Sequence, residues 1–308
     1  MKHIAVIIPC YNEAATIGQV VREFAAALPG ATIIVGDNNS HDDTAQVARE
    51  AGAQVISEPR QGKGNMLRTL LRSVDADCYL MVDGDATYPA DKAQALCDKV
   101  LVEGCDMVMG DRLSSTYFTV NRRRFHNTGN RMMRGLINWM CRSNVQDILT
   151  GYRALSRRFV THFPLRSQGF EVETEMTVHA LEHSFKVDSV PVEYRDRPQG
   201  SHSKLSTFGD GYRAIKTALA LFGEHRPLRC FSIIAAILLL LALILVTPVF
   251  IEYFQTGLVP RFPTLIVSGF IALLAMMMWV AGVILEVISR NHWKQFELAL
   301  IQDSKTKE

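Results

Sequence analysis

Asp83 and Asp85 flank Gly84 in LMVDGDATYP, directly after an apolar run. Two carboxylates one residue apart, with glycine allowing a tight backbone, suit a shared oxygen-loving divalent cation. Mg2+ or Mn2+ held there keeps positions open for phosphate oxygens and neutralises the charge that grows on a departing diphosphate. Two more polar clusters follow apolar runs: Tyr11, Asn12 and Glu13 after HIAVIIPC, and Asp37, Asn38 and Asn39 at the end of ATIIVGD. Each cluster alone also reads as turn chemistry, because Asn and Asp favour turns and helix caps. Their convergence marks a site. Segment 40–44 reads as capping for the helix that follows.

The elements that must position these clusters alternate. Apolar strands HIAVIIPC, ATIIVGD, QVISE, CYLMVDGD and DMVMGD are separated by helical patterns at about 14–28 and 44–51, one opened by 62–65, and one at about 91–102. Strands alternating with helices predict an α/β, mostly parallel, doubly wound, Rossmann-like sheet that gathers ligands at the carboxyl ends of its strands. Gly62-Lys63-Gly64 lacks the G-x-x-x-x-G-K-[ST] pattern of a phosphate loop and reads as a helix start, with Lys63 a candidate to approach a diphosphate.

Beyond about residue 225 the composition changes. Uncharged apolar runs at 230–251 and 262–285 hold 22 and 24 residues, each reaching about 33–36 Å as a helix, enough to cross a hydrocarbon core of roughly 30 Å. A buried core helix usually shows a polar stripe, and FSIIAAILLLLALILV has none. The expected plan is a catalytic domain over 1–206, an amphipathic juxtamembrane helix over 207–229, a membrane hairpin over 230–290 with spans near 230–251 and 262–288, and a tail over 291–308. Arg226 and Arg229 precede the first span, and Arg290 and Lys294 follow the second. The positive-inside rule therefore puts both outer ends, and with them the large domain, on the cytoplasmic side of the inner membrane. The start MKHIAVIIPCYNE shows no small-residue cleavage site, so a secretory signal is not expected. Net charge is +2 and suggests no nucleic-acid partner. The six cysteines show neither C-x-x-C pairing nor metal-site spacing, so neither zinc nor a disulfide is expected.

The segments VIIPCYNEAATI, VGDNNSHDDTA, QGKGN, LMVDGDATYP, MVMGDR, DILTGYRALSR, GFEVETEMTVHA and YRDRPQGSHSKL cover nearly the whole first domain. In that order they resemble the family 2 glycosyltransferases of GT-A fold, in the polyprenyl-phosphate, dolichol-phosphate mannose synthase-like branch. The resemblance implies that Pro9, Tyr11, Asn12, Glu13, Asp37 and Asn39 hold the nucleoside, with Lys63, Asp83, Gly84 and Asp85 at the diphosphate. It also implies that Asp83 and Asp85 hold the metal and that the sugar is transferred with inversion from a nucleotide sugar; the choice between UDP and GDP is left open, with UDP preferred. Two positions depart from the family pattern: Asn38 and Asn39 follow Asp37 where D-D-G-S is common, and Thr87 stands where a Gln often assists the metal.

A lipid-phosphate acceptor requires cations, and Arg112, Arg131 and Arg153 are the candidates, because the planar guanidinium donates parallel hydrogen bonds to a phosphate. Arg122, Arg123 and Arg124 read instead as a solvated or headgroup-facing run. Arg197, Ser203 and Lys204, in the Pro- and Gly-containing DRPQGSHSKL, suit a lid over the diphosphate. A phosphate acceptor is already largely ionised at neutral pH and needs no strong base. A hydroxyl acceptor would need one, and Asp147 and Glu173 are the candidates for that role. Three other readings stand beside this one. A family 2 enzyme could act on a lipid or glycan hydroxyl, although the Q-x-x-R-W element of processive synthases is absent. A D-x-D-x-T phosphatase matches only DGDAT and lacks a later acidic pair. A membrane-tethered nucleotide-binding scaffold would not need the intact carboxylate pair. A homo-oligomer is left open.

Overall fold

The computed structural model describes residues 2–114, 124–169, 171–195, 223 and 226–306, with the helical backbone alone for 124–132 and 303–306. The chain forms two compact units, Met1–Ala218 and Leu219–Glu308. In the first, β1 (Ile4–Cys10), α1 (Ile17–Ala27), β2 (Thr32–Asp37), α2 (Thr44–Glu50), β3 (Gln54–Ser57), α3 (Lys63–Ser73) and β4 (Cys78–Met81) alternate as expected. A short 3-10 turn leads into α4 (Ala93–Leu101), followed by β5 (Met107–Asp111), α5 (Arg124–Cys141), β6 (Arg153–Ser156), α6 (Arg157–Thr161), α7 (Val172–Glu182) and β7 (Val187–Pro191).

The strands form one seven-stranded sheet in the order β3-β2-β1-β4-β6-β5-β7. Only β6 runs antiparallel to its neighbours; the other pairings are parallel. β1 is buried on both faces, with Ala5 and Ile7 alternating with Val6 and Ile8, all at 0% exposure. Such an unbroken apolar run is what a central parallel strand requires. Ile17, Val20, Val21 and Phe24 recur at helical spacing and press α1 onto the Val6 and Ile8 side. On β2, Gly36 admits α3, since an added Cβ would meet Met66 Cε at 2.7 Å.

Because β1 pairs with β2 on one side and β4 on the other, the order of the winding reverses at β1. The carboxyl ends of β1, β2 and β4 therefore open a crevice at the topological switch point. β6 and β7 were not announced by the apolar pattern. Within the described residues, β6 is the four-residue stretch RALS, and it becomes a strand by filling the space between β4 and β5.

The second unit is a helical pair, α8 (Pro227–Thr256) and α9 (Phe262–Thr306), both long and apolar enough to cross a membrane. Large apolar side chains such as Phe254 and Phe270 point outward, at 82% and 68% exposure, which a soluble core helix would not tolerate. Buried small residues recur every seventh position along each helix: Ala235, Ala242 and Val249 on α8, and Ser268, Ala275 and Gly282 on α9. Small residues at this interval let two apolar helices approach closely, which is how packing is gained where lipid is the alternative neighbour. α9 runs past the end expected for the second span near 288. Segment 289–306 has no Gly or Pro and several strong helix formers, so the helix continues to Thr306 instead of giving way to a tail. The juxtamembrane helix expected at 207–229 lies almost wholly outside the described residues.

An added Cβ at Gly282 would meet Phe231 Cβ at 2.7 Å. Gly282→Leu is expected to cost about 1–3 kcal/mol by overpacking the pair, and this should appear as faster protease cleavage of the hairpin in detergent.

Candidate active site

The three strand-end loops are knitted together by hydrogen bonds that use side chains of one loop to satisfy the backbone of another. Asn12 N donates to Ser40 Oγ at 3.0 Å, Glu13 N to Thr44 Oγ1 at 2.8 Å, and His41 N to Asn12 Oδ1 at 2.8 Å. Ser40 N donates to Asp37 Oδ1 at 3.3 Å. Segment 40–44 is thus structural, as expected, but Ser40 and Thr44 pin the β1 loop, and Asp43, the N-cap residue of α2, makes no side-chain cap bond. Tyr11 meets His41 edge-on, with ring centroids 6.2 Å apart. Pro9 pairs with Gly36, and Cys10 with Asp37, across the last rungs of β1 and β2.

After β4, Asp85 is buried, and its Oδ1 accepts from Thr87 Oγ1 at 2.6 Å and Thr87 N at 3.2 Å. Thr87, which departs from the family's Gln, therefore orients Asp85. Gly84 O accepts from Thr16 Oγ1 at 2.7 Å, which ties the turn to the start of α1. Asn12, Asn39 and Ala86, one in each loop, have φ of 51°, 58° and 58°. For an Ala this left-handed conformation costs about 1–3 kcal/mol and persists only where surrounding contacts impose it.

Asp83 is the more accessible carboxylate, with its side chain 27% exposed. Lys63 Nζ, at the start of α3, lies 2.5 Å from Asp83 Oδ1 and 2.5 Å from Glu173 Oε1, in the first turn of α7. Burial alone would favour a neutral amine at Lys63, but Asp83 and Glu173 outweigh it and raise its pKa, so the group is an ammonium. Residues 110 positions apart in the chain thereby share one charge cluster.

After β5, Arg112 Nε and Nη2 donate to the two oxygens of Asp147 at 2.7 and 3.0 Å, and Arg112 N donates to Oδ2 at 3.2 Å. The guanidinium also lies near the Tyr88 and Tyr194 rings, 5.8 and 5.6 Å from their centroids. Asp147 thus clamps Arg112. Arg153 is 0% exposed, and donates to Thr150 O at 3.0 Å, Ile148 O at 2.6 Å and Thr177 Oγ1 at 2.9 Å. Burial lowers its pKa to about 10, against the pull of Glu173 and Asp147. It braces the 148–150 turn internally and offers no surface to a lipid phosphate. The side chain of Arg131, and all of Arg197, Ser203 and Lys204, lie outside the described residues.

The profile of Glycosyl transferase family 2 matches residues 5–163, over half of the chain. The chain belongs to this family. AglJ, a glycosyltransferase of Haloferax volcanii, is 35% identical over 227 residues, covering 71% of this chain and 74% of that one. Dolichyl-phosphate hexose transferase of the same organism is 28% identical and covers 72% and 95%. Glucosyl-3-phosphoglycerate synthase of Mycobacterium tuberculosis superposes with a TM-score of 0.59 at 24% identity, over 72% of this chain and 81% of that one, which supports the GT-A fold.

Several residues shape the site of this glycosyltransferase through contacts that the sequence did not specify. Asn38 bridges the β2 and β3 ends. Its Nδ2 donates to Glu58 O and Arg60 O at 3.1 and 2.8 Å, and its Oδ1 accepts from Gly62 N at 2.7 Å. This departure from D-D-G-S thus holds the turn that presents Lys63. Gly62 and Gly64 are required by close packing, since a Cβ on either would stand 2.2 Å from a carbonyl oxygen of the 167–168 segment. Gly151 is required in the same way: a Cβ there would lie 2.2 Å from Asp83 Oδ2. Its position in TGYR, 68 residues from Asp83, could be linked to that carboxylate only through the fold.

Gly151→Ala is expected to displace the Asp83 carboxylate and lower kcat at least about tenfold, in line with the rate cost of misplacing a catalytic group by about 1 Å. An unchanged melting curve would separate this loss from unfolding. Glu58 accepts from Arg60 and Thr69, and Arg60 first among them holds its pKa well below the usual carboxylate range. Its stabilisation is therefore complete above the ordinary glutamate pKa of about 4.3 and fades as pH falls below it. Glu58→Gln should lower Tm by roughly 2–4 °C at pH 7, and the gap to the parent should narrow in melts run at progressively lower pH.

Proposed function

We propose that this glycosyltransferase moves a sugar, with inversion, from a nucleoside diphosphate sugar to a membrane polyprenyl phosphate, and that UDP is preferred to GDP. The observation that carries the acceptor assignment is that both carboxylates suited to take a proton are already engaged by cations, Asp147 by Arg112 and Glu173 by Lys63. A hydroxyl acceptor needs such a base, whereas a phosphate monoester arrives largely ionised. A dolichyl-phosphate hexose transferase among the relatives and two helices long and apolar enough to span a membrane support the same reading.

Tyr11, half-buried beside His41, would offer a ring face to the base, with Asn12, Glu13, Asp37 and Asn39 as the other nucleoside contacts. Asp83 and Asp85 fit a hard divalent cation, because their donors are carboxylate oxygens, Asp85 is held in orientation by Thr87, and Asp83 is reachable from solvent. Mn2+ accompanies UDP-glucose in a complex of the mycobacterial synthase, which supports Mg2+ or Mn2+ here. When bound, the ion neutralises charge on the leaving diphosphate. Lys63 adds a fixed positive charge beside Asp83. Arg112, clamped by Asp147, presents a preformed cation toward the acceptor phosphate, with Arg131 as a second contact and Arg197, Ser203 and Lys204 closing over the diphosphate. Arg226 and Arg229 at the start of α8, and Arg290 and Lys294 beyond the apolar stretch of α9, support a catalytic domain on the cytoplasmic side of the inner membrane.

With polyprenyl phosphate, Mn2+ and a nucleotide sugar, radiolabel should pass to the lipid, and the free polyprenol should accept none. Equal transfer to polyprenol would return the hydroxyl-acceptor reading. Asp85→Ala should reduce turnover by at least about a hundredfold through loss of electrostatic stabilisation of the leaving group.

A further inference from the structure

Lys63 occupies an unusual place for a lysine in a site that attracts a divalent cation. Its ammonium sits between Asp83 and Glu173, 2.5 Å from an oxygen of each, and its side chain is only 10% exposed. Glu173 is buried more deeply still, at 5% side-chain exposure. A buried carboxylate left without a partner is strongly destabilising, so Glu173 needs this lysine whether or not a metal is present. Asp83 does not, since it is the accessible member of the three and lies one residue from Asp85.

A dication on Asp83 would stand within a few ångströms of the ammonium and repel it, in a site where screening by water is weak. Asp83 cannot keep its close ion pair with Lys63 and serve a metal with the same oxygen. Glu173 can hold the lysine when Asp83 releases it, because it already shares the ammonium and sits on a different element, α7.

We infer that Lys63 is an internal counter-cation that exchanges with the divalent metal at Asp83, with Glu173 as the positioning residue that retains the released ammonium and leaves it beside the diphosphate of the incoming donor. In the metal-free protein the lysine holds the Asp83 carboxylate in place. On loading, the metal takes over Asp83 while Lys63 turns to Glu173 and the donor phosphates. The exchange makes metal binding weak in the absence of nucleotide and stronger in its presence, since the donor supplies new acceptors for the ammonium and further oxygens for the metal. It also gives Glu173 a function other than proton transfer. This inference rests on the assignment of Asp83 and Asp85 to the metal.

The test is titration of the detergent-solubilised full chain with Mn2+ alone, without any sugar nucleotide, followed by calorimetry or by the paramagnetic signal of free Mn2+. Lys63→Met should tighten Mn2+ binding about tenfold, because the competing charge is gone and Glu173 adds its own. That variant leaves Glu173 unpaired and can lose stability, so Lys63→Met/Glu173→Gln is measured beside it, and it too should bind Mn2+ more tightly than the parent. A lysine with a merely structural role would not produce tighter binding on removal. Mn2+ affinity that is unchanged or weaker in both variants, while Asp85→Ala abolishes binding, overturns the exchange and leaves the metal site standing. Mn2+ affinity unaltered by Asp85→Ala removes the metal assignment, and the exchange with it.

Discussion

A charge taken out of water must be met by another, and at the carboxyl edge of this sheet that requirement binds distant parts of the chain together. Asp83 comes from the end of β4, Lys63 from the start of α3 and Glu173 from α7, and the buried pair of Lys63 and Glu173 could not be buried to its observed degree with either partner missing. Arg112 and Asp147 solve the same problem through a bidentate pair reinforced by a backbone N–H. Arg153 solves it with carbonyl oxygens and a threonine. The charges of the site are therefore set in place by the same interactions that allow the fold to close.

That arrangement narrows the chemistry. Carboxylates bound by guanidinium or ammonium groups hold those cations in fixed positions, and the proposed anionic acceptor rests on that arrangement. Preparation of this kind lowers the reorganisation needed at the moment of transfer. It has a local cost, visible in the left-handed backbone at Asn12, Asn39 and Ala86, which the interlocking loop hydrogen bonds offset. Glycines at 62, 64 and 151 contribute by leaving room, since each admits a neighbouring segment where a methyl group would collide.

The helical unit works by a different balance. Lipid offers apolar side chains no less than a neighbouring helix does, so α8 and α9 hold together through close backbone approach along small residues seven apart. The outward-facing phenylalanines and leucines leave an apolar outer surface of the kind a membrane would cover.

The sequence by itself determined the alternating elements from β1 to β5, because apolar runs of strand length and helices with apolar stripes leave little choice of partner. It also pointed to the carboxylates after β4 and the polar residues after β1 and β2, since strand ends of a parallel sheet are where ligands gather. The two apolar helices were legible for the same reason, as a run of that length and purity has few other homes; the end of α9 was not, because hydropathy ends where the helix need not. Only the tertiary structure decided which ionisable groups are occupied. The sequence offered Asp147 without showing that Arg112 pairs with it, and Arg153 without showing that the 148–150 carbonyls and Thr177 use its donors. Spacing along a chain says which residue types are available, whereas pairing of buried charges depends on distances between residues far apart in sequence, and those exist only once the sheet has brought β4, α3 and α7 to one edge.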